Sequence, residues 1–415
     1  MNSVEGLALL ANRRERKPDQ YLARAEVAQI TASELTRRMT ALAPMVEAHA
    51  AEAERLRHPV DAVWTAIRRS GFFYQFVPQA FGGMATDLDG YMDAVLPIAE
   101  ACASTAWTAN FCAWHNWALA QFPRETQAEV WGTSPYTIAP LMAAPPGQAL
   151  RAKGGFRITG QWQWATGIMH ADWAFVMAML EEGGAPQFLF CLVPADDVDI
   201  LDTWQVDGMC GTGSHDIRIS DVFVPENRAI AAFPLLCGQG EGSKLHDSAL
   251  YRIPMMALST VTGAMTVLGT ARAALRHHRE RLGERTQAMS TAKWSDKPAA
   301  QIRLAEADLM IGTAETVIRD AGRRAVAAAE VSGPDQVPLR IAVRARSAYA
   351  AQLCRKAVHH LAEGAGSSVH QITHPFQRTM RDIDVMTSHV GFDVDSCFEL
   401  HGRALLSLPP NTPLF

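Results

Sequence analysis

The chain has 415 residues, 48% hydrophobic and 20% charged, enough apolar material for several packed layers and too long for one simple core. Its 38 Lys and Arg against 43 Asp and Glu leave a formal net charge of −5, which excludes the global basic field that holds nucleic acid or an anionic membrane surface. Seven cysteines scattered singly, with no C-x-x-C, argue against a disulfide framework and a zinc site and fit a cytoplasmic protein.

The N-terminus carries no compact apolar run ahead of Arg13, Arg14, Arg16 and Lys17, so no secretory leader is expected. Thr31 and Glu34 have capping-box spacing, and Leu35, Met39, Leu42 and Val46 then recur on one helical face; Pro44 is expected to kink or divide that helix. A second helix is predicted to start after Pro59 and stop near Gly71, where an apolar turn runs on to Gly82-Gly83. Residues 89–122 are again helix-compatible. From Tyr136 the texture changes to short apolar runs between Gly, Pro and Asp clusters, which predicts strands at 155–160, 173–180, 187–193 and from Ile217 to Pro225.

After Ser243 the helical period returns. The stretch from Ile253 to Ala271 has no charge, yet it holds Ser259, Thr260, Thr262, Thr266, Thr270, Gly263 and Gly269, the composition of a helix buried against other helices rather than a membrane span. Ile302, Ala305, Leu309 and Gly312 form one stripe and Ala350, Cys354, Ala357 and Leu361 another, with Arg344 and Arg355 available for solvent. The tail after Leu406, with Pro409, Pro410 and Pro413, reads as an extended arm. The fold class is mainly α with a central β-domain: a helical domain at 1–136, a β-domain at 137–240, and a four-helix bundle with extended tail at 241–415.

Several motifs bear on chemistry. Gly208 to Asp216 contains a glycine-rich turn, but the third glycine of a dinucleotide fingerprint is missing and a strand follows where a helix should, which excludes a Rossmann site. Two accounts of the turn stay open: a tight connection between strands, or small residues that let a flat ligand approach, with Thr212 and Ser214 offering hydroxyls. Trp162 and Trp164, two apart on a strand, share a face and belong to the core or wall an aromatic cofactor. Fourteen histidines include His277-His278 and His359-His360, but no H-E-x-x-H, so no metal centre is expected. No G-x-S-x-G or phosphate-binding P-loop occurs.

The order of helical third, β-domain and bundle resembles the acyl-CoA dehydrogenase fold. So do Gly71-Phe72-Phe73 through Gly82-Gly83, Trp164-Ala165-Thr166-Gly167, Gly208 through Ser214 leading to Val222-Phe223-Val224-Pro225, and Arg381-Asp382. Within that superfamily the chain is most similar to the oxygenase components of two-component (group D) flavin monooxygenases, through Ser104-Thr105-Ala106-Trp107, Gly366-Ser367-Ser368, Pro375-Phe376-Gln377-Arg378 and Arg381-Asp382…His389 closing on Glu399-Leu400-His401-Gly402-Arg403-Ala404. Where many acyl-CoA dehydrogenases keep a carboxylate base, this sequence reads Met386-Thr387-Ser388-His389-Val390-Gly391.

The resemblance implies an oxygenase that takes reduced flavin from a separate reductase, FMN favoured with FADH2 possible. It also implies reaction with O2 to a C4a-hydroperoxide, which hydroxylates a phenolic or heteroaromatic compound or oxidises a thiophene-type sulfur. His389 would be the general base for a phenol, since an imidazole titrates near neutrality. Thr166 would sit beside the flavin N5, and Trp164, Trp204, Thr212, Ser214, Ser367 and Ser368 would line the flavin. Arg285 would meet its phosphate, as a guanidinium fork suits, and from a neighbouring subunit of a homotetramer. His115, Trp114, His170, Met142 and Phe392 would shape the substrate cavity. The alternative is an acyl-CoA dehydrogenase with bound FAD, and a third possibility is a non-catalytic helical binding protein.

Overall fold

The computed structural model describes residues 8–13, 20–287, 289–331, 333–412 and 415; Arg14, Arg16, Lys17 and Pro413 lie outside them. A short strand, β1 (Leu9–Leu10), precedes the helices α1 (Arg24–Val27), α2 (Ala32–Ala48), α3 (Ala50–Leu56), α4 (Asp61–Ser70), α5 (Leu88–Ala101), α6 (Ala103–Leu119) and α7 (Arg124–Thr133). Thr31 caps α2 by accepting the Glu34 N–H at 3.2 Å, and Leu35, Met39 and Val46 are buried along it as their spacing requires. Pro44 does not divide this helix. It sits inside α2, which ends only at His49, where α3 begins. Gly71 closes α4 with φ of 96°, a left-handed value that favours glycine.

The central sheet has eight strands in the order β1–β6–β7–β3–β2–β4–β5–β8. They are β2 (Leu141–Ala152), β3 (Gly155–Trp162), β4 (Trp173–Leu180), β5 (Gln187–Pro194), β6 (Asp199–Leu201), β7 (Asp216–Pro225) and β8 (Ala229–Ala231) with β1. All neighbours are antiparallel except β2 with β4. The N-terminal segment therefore contributes a strand to the central layer, pairing Leu9 with Leu201. In β2, Pro145-Pro146-Gly147 hides the strand from a sequence pattern; the register shifts between Met142 and Gly147, and a Cβ on Gly147 would lie 2.3 Å from the Trp162 ring.

The short helix α8 (Ala232–Leu236) leads into α9 (Met255–Glu284), α10 (Pro298–Ala329), α11 (Gln336–Ala365), α12 (Pro375–Thr387) and α13 (Val394–Leu405). Every residue of α9 from Met255 to Ala271 is buried, and its threonine hydroxyls are satisfied by carbonyls on their own helix, as Thr260 to Met256 at 2.8 Å and Thr270 to Thr266 at 2.9 Å. No helix among the described residues is long and apolar enough to cross a membrane.

The stripe Ala350, Cys354, Ala357 and Leu361 is buried on α11. The other stripe is not: Ile302 is 59% and Leu309 69% exposed, while Ala307, Ile311, Ala314 and Ile318 face the core of the chain. Both patterns satisfy helical periodicity, and the small residues won the inner face because α9 and α11 lie close. Arg344 is also corrected. It is buried and donates to Val390 O at 2.7 Å, whereas Arg355 is exposed and pairs with Asp384.

Candidate active site

One wall is aromatic and comes from α6. Trp107, Phe111, Trp114 and His115 fall at helical spacings that keep them on adjoining sides of a helix buried over its whole length. His389, just past α12, lies with ring centroids 5.6 Å from Trp107, 5.8 Å from Phe111 and 6.1 Å from Phe392. Gly263 of α9 leaves room for this corner, since a Cβ there would lie 3.2 Å from Phe392.

The His389 ring is fixed from its own turn. Its Nδ1 accepts the Gly391 N–H at 3.1 Å, so the neutral imidazole carries its proton on Nε2. Burial, followed by the Arg344 guanidinium, pushes its pKa down to about 4, so the ring is neutral at pH 7. His115 turns Nδ1 to Ala139 O at 2.7 Å, and burial pushes its pKa down to about 3. Trp114 Nε1 is buried without a hydrogen-bond partner, an orphaned donor in the same wall.

A second group surrounds Thr166. Thr212 Oγ1 donates to Met209 O at 3.0 Å, and Ser214 Oγ lies 2.8 Å from both Thr212 Oγ1 and Thr166 Oγ1. Because a carbonyl only accepts, the chain has one direction: Thr166 donates to Ser214, Ser214 to Thr212, and Thr212 to the backbone. The Thr166 oxygen is thereby left as an acceptor toward whatever lies beyond it. Thr212 and Ser214 are buried behind Thr166.

The glycines of the 208–214 turn serve packing. A Cβ on Gly208 would come within 2.2 Å of Arg381 O, and one on Gly213 within 2.5 Å of Arg57 O. Asp382 accepts the Met209 N–H at 2.6 Å and clips the turn to α12; burial pushes this carboxyl up to about 6. Trp204 Nε1 also donates to Met209 O, at 3.1 Å. Trp162 and Trp164 do not share a face. Trp162 is sealed in the sheet core, while Trp164 lies past the strand end at φ 60° with its residue 64% exposed, an indole held out in the strained left-handed region.

A third group lies at the far end of α9. Arg285 donates to Ala365 O at 2.9 Å and stacks 3.9 Å over the Trp294 ring, and Arg281 bonds Ser368 Oγ and His374 Nε2. Neither arginine has an ion pair among the described residues, and burial together with Arg285 lowers the Arg281 pKa. Ser367 is exposed beside them. Arg281, in the last turn of α9, was not singled out in the sequence; Arg285 follows directly past the helix end in extended backbone.

Two of the expected cavity residues lie apart from the His389 wall. Met142 belongs to the core of the sheet. His170 stacks on Trp64 at 4.9 Å and lies edge-on to His58. Two open clefts, one bordered by α2, α5, α9 and α10 and one by α10, α11 and α13, contain none of the site residues.

Family models described as "Acyl-CoA dehydrogenase, N-terminal domain" and "Acyl-CoA dehydrogenase, C-terminal domain" match residues 18–134 and 261–394. The chain is 36% identical over 387 residues to a pigment production hydroxylase of Rhodococcus sp. (strain ATCC 21145), covering 93% of this chain and 99% of the relative. It is 30% identical to the oxygenase component of an FADH(2)-dependent resorcinol hydroxylase of Rhizobium sp. (strain MTP-10005), over 91% of this chain and 95% of that one. The solved structure of XiaF from Streptomyces sp., in complex with FADH2 and glycerol, superposes with a TM-score of 0.85 at 30% identity, covering 94% of this chain and 99% of the other.

Proposed function

We infer the function from a chain that belongs to the acyl-CoA dehydrogenase superfamily and, within it, to the oxygenase components of two-component flavin-dependent monooxygenases. It is a reduced-flavin-dependent monooxygenase that uses reduced FMN or FADH2 and O2 to oxygenate an aromatic substrate. A flavin reductase supplies the reduced cofactor. The observation that carries this reading is His389, a neutral imidazole set among Trp107, Phe111 and Phe392 where a dehydrogenase would need a carboxylate.

The residues present fit a flavin. Trp164 presents an exposed indole, Trp114 Nε1 is a buried donor without a partner, Thr166 Oγ1 presents lone pairs, and Arg281 with Arg285 offers two cations that no carboxylate among the described residues pairs with. When bound, the reduced flavin supplies the electrons that activate O2. Thr166 would accept from the flavin N5–H and hold it, its own proton already committed to Ser214. Trp164 and Trp204 would flank the ring system, and Arg281, Arg285, Ser367 and Ser368 would hold the phosphate. His389 would receive the substrate hydroxyl and take its proton as Nδ1 parts from the Gly391 N–H; for a thiophene-type sulfur it would serve as a proton donor through Nε2. Trp114, His115 and Phe392 would shape the cavity.

The proposed phosphate residues lie far from the aromatic corner of their own chain. Gly263, at the aromatic corner, and Arg285 are separated by α9 and lie about 30 Å apart at 1.5 Å per residue, farther than an isoalloxazine reaches its first phosphate. This separation supports a flavin site shared between copies in a homotetramer, and the exposed face of Ile302 and Leu309 offers apolar area for assembly. Free cysteines throughout fit the cytoplasm.

The test is anaerobic titration with reduced FMN and with FADH2, then rapid mixing with oxygenated buffer in the presence of a panel of phenols. Saturable binding of the reduced form and an oxygenated product support the reading. Tightly bound oxidised flavin that bleaches with an acyl-CoA would overturn it in favour of a dehydrogenase.

A further inference from the structure

A polar cluster lies behind the 208–214 turn, where the loop after β3 meets the start of α4. Among the described residues it is the one place where three or more His, Cys, Asp and Glu side chains bring donor atoms together: His58, Asp61 and His170 each place one within 4.8 Å of the others. The sequence hides it because the donors come from two remote segments with no ligand motif.

We propose that His58, Asp61 and His170 form a binding site for a divalent transition-metal ion of the zinc class, with the Arg13 guanidinium as its competing occupant.

The donor chemistry fits. His58 Nδ1 lies 2.8 Å from Pro59 O, which can only accept, so that nitrogen carries the ring proton and Nε2 keeps a free lone pair. A ring nitrogen turned to a backbone carbonyl while the other is left free is how metal-ligating histidines are commonly oriented. His170 is 3% exposed, and its Nε2 is buried with no hydrogen-bond partner, a cost the fold bears unless something binds there. Stacking on Trp64 and the edge contact with His58 hold the ring in place. Asp61 begins α4, and its half-exposed side chain leaves the cluster open to solvent, room for a water as fourth ligand. Two imidazoles and one carboxylate suit zinc rather than magnesium or calcium, which prefer all-oxygen sets. Tetrahedral bonds of about 2.0–2.1 Å put ligand atoms about 3.3 Å apart, so the donors need to draw in by no more than about 1.5 Å.

Arg13 now holds both Asp61 oxygens, at 3.2 and 2.5 Å. A cation in the cluster would repel that guanidinium, so the two are mutually exclusive. Displacing it need only swing a side chain, because the Arg13 backbone stays bonded to Met169 O at 2.7 Å. A bound ion would tie the turn that ends in His170 to α4, and this turn begins beside Thr166.

The test is calorimetric titration of chelator-stripped full-length protein with Zn2+ alone, and with Co2+ while its visible absorption is followed. One ion per chain is expected, with the intense bands of four-coordinate Co2+. Asp61→Asn should weaken binding by at least about tenfold. Arg13→Ala should strengthen it by about tenfold, because the competitor is gone. Both positions are on the surface, so neither variant endangers folding, and opposite shifts distinguish this site from uptake by a cysteine. Absence of saturable uptake, or equal affinity in wild type and both variants, overturns the proposal.

Discussion

Valine in place of Thr166 removes a hydroxyl and keeps nearly all the side-chain volume. In the fold the change costs little: Ser214 still donates to Thr212 and loses only the bond it received, which is about 1 kcal/mol. With Thr166 beside the flavin N5 as proposed, the effect there should be selective. The one-way relay leaves the Thr166 oxygen as an acceptor, and losing a hydrogen bond of about 0.5–1.5 kcal/mol to N5–H should speed futile release of H2O2 about two- to tenfold. The assay compares H2O2 formed and product formed per O2 consumed, with reduced flavin held constant. Thr166→Ser keeps the hydroxyl and should restore coupling, whereas Ser214→Ala removes the acceptor to which Thr166 donates and should give an intermediate value. Unchanged coupling in the valine variant, or a serine variant as leaky as valine, would refute the relay argument.

Other expectations follow from the same geometry. His389→Asn keeps polar atoms but no basicity, so with a phenol it should leave flavin reoxidation intact while product falls by at least about tenfold; normal yield would remove the base assignment. Arg281→Ala and Arg285→Ala should each weaken binding of reduced flavin by about tenfold, read by anaerobic titration, with more loss for FMN and FADH2 than for riboflavin, which lacks the phosphate. Stability should fall on acidification. His389 titrates near 6.5 when unfolded but near 4 when folded, so unfolded chains gain a proton first, and about 3 kcal/mol is lost between pH 6.5 and 4. A denaturation midpoint measured against pH should therefore slope less in His389→Asn than in wild type; identical slopes would contradict the burial of that imidazole.

Much of the molecule was legible in the chain. The Thr31 cap, the strands at 155–160, 173–180 and 187–193, and the buried uncharged start of α9 all follow from local pattern, because one face or one terminus settles them. What failed was decided by partners remote in sequence. Periodicity could not tell which of two stripes on α10 turns inward, since alanine spacing and close approach to α9 and α11 made that choice. Arg344 looks solvent-bound until the turn bearing Val390 comes to lie over it. Trp162 and Trp164 would alternate correctly on a strand, but the chain leaves the sheet between them and the second indole turns outward. The site was legible as residue types and not as groups: His115 and Phe392 join His389, whereas Met142 and His170 go to other neighbourhoods.

The 30-residue length of α9 has one more consequence. On the proposed assignment, a helix with the aromatic corner at one end and Arg281 and Arg285 at the other would make cofactor capture depend on how many chains are present. Apparent affinity for flavin would then rise with protein concentration, and a subunit diluted to the monomer would hold two half-sites and no whole one. On that assignment two variants, one lacking Arg285 and one lacking Thr166, would give more coupled product when mixed than either alone, wherever the sound end of each chain meets the sound end of the other.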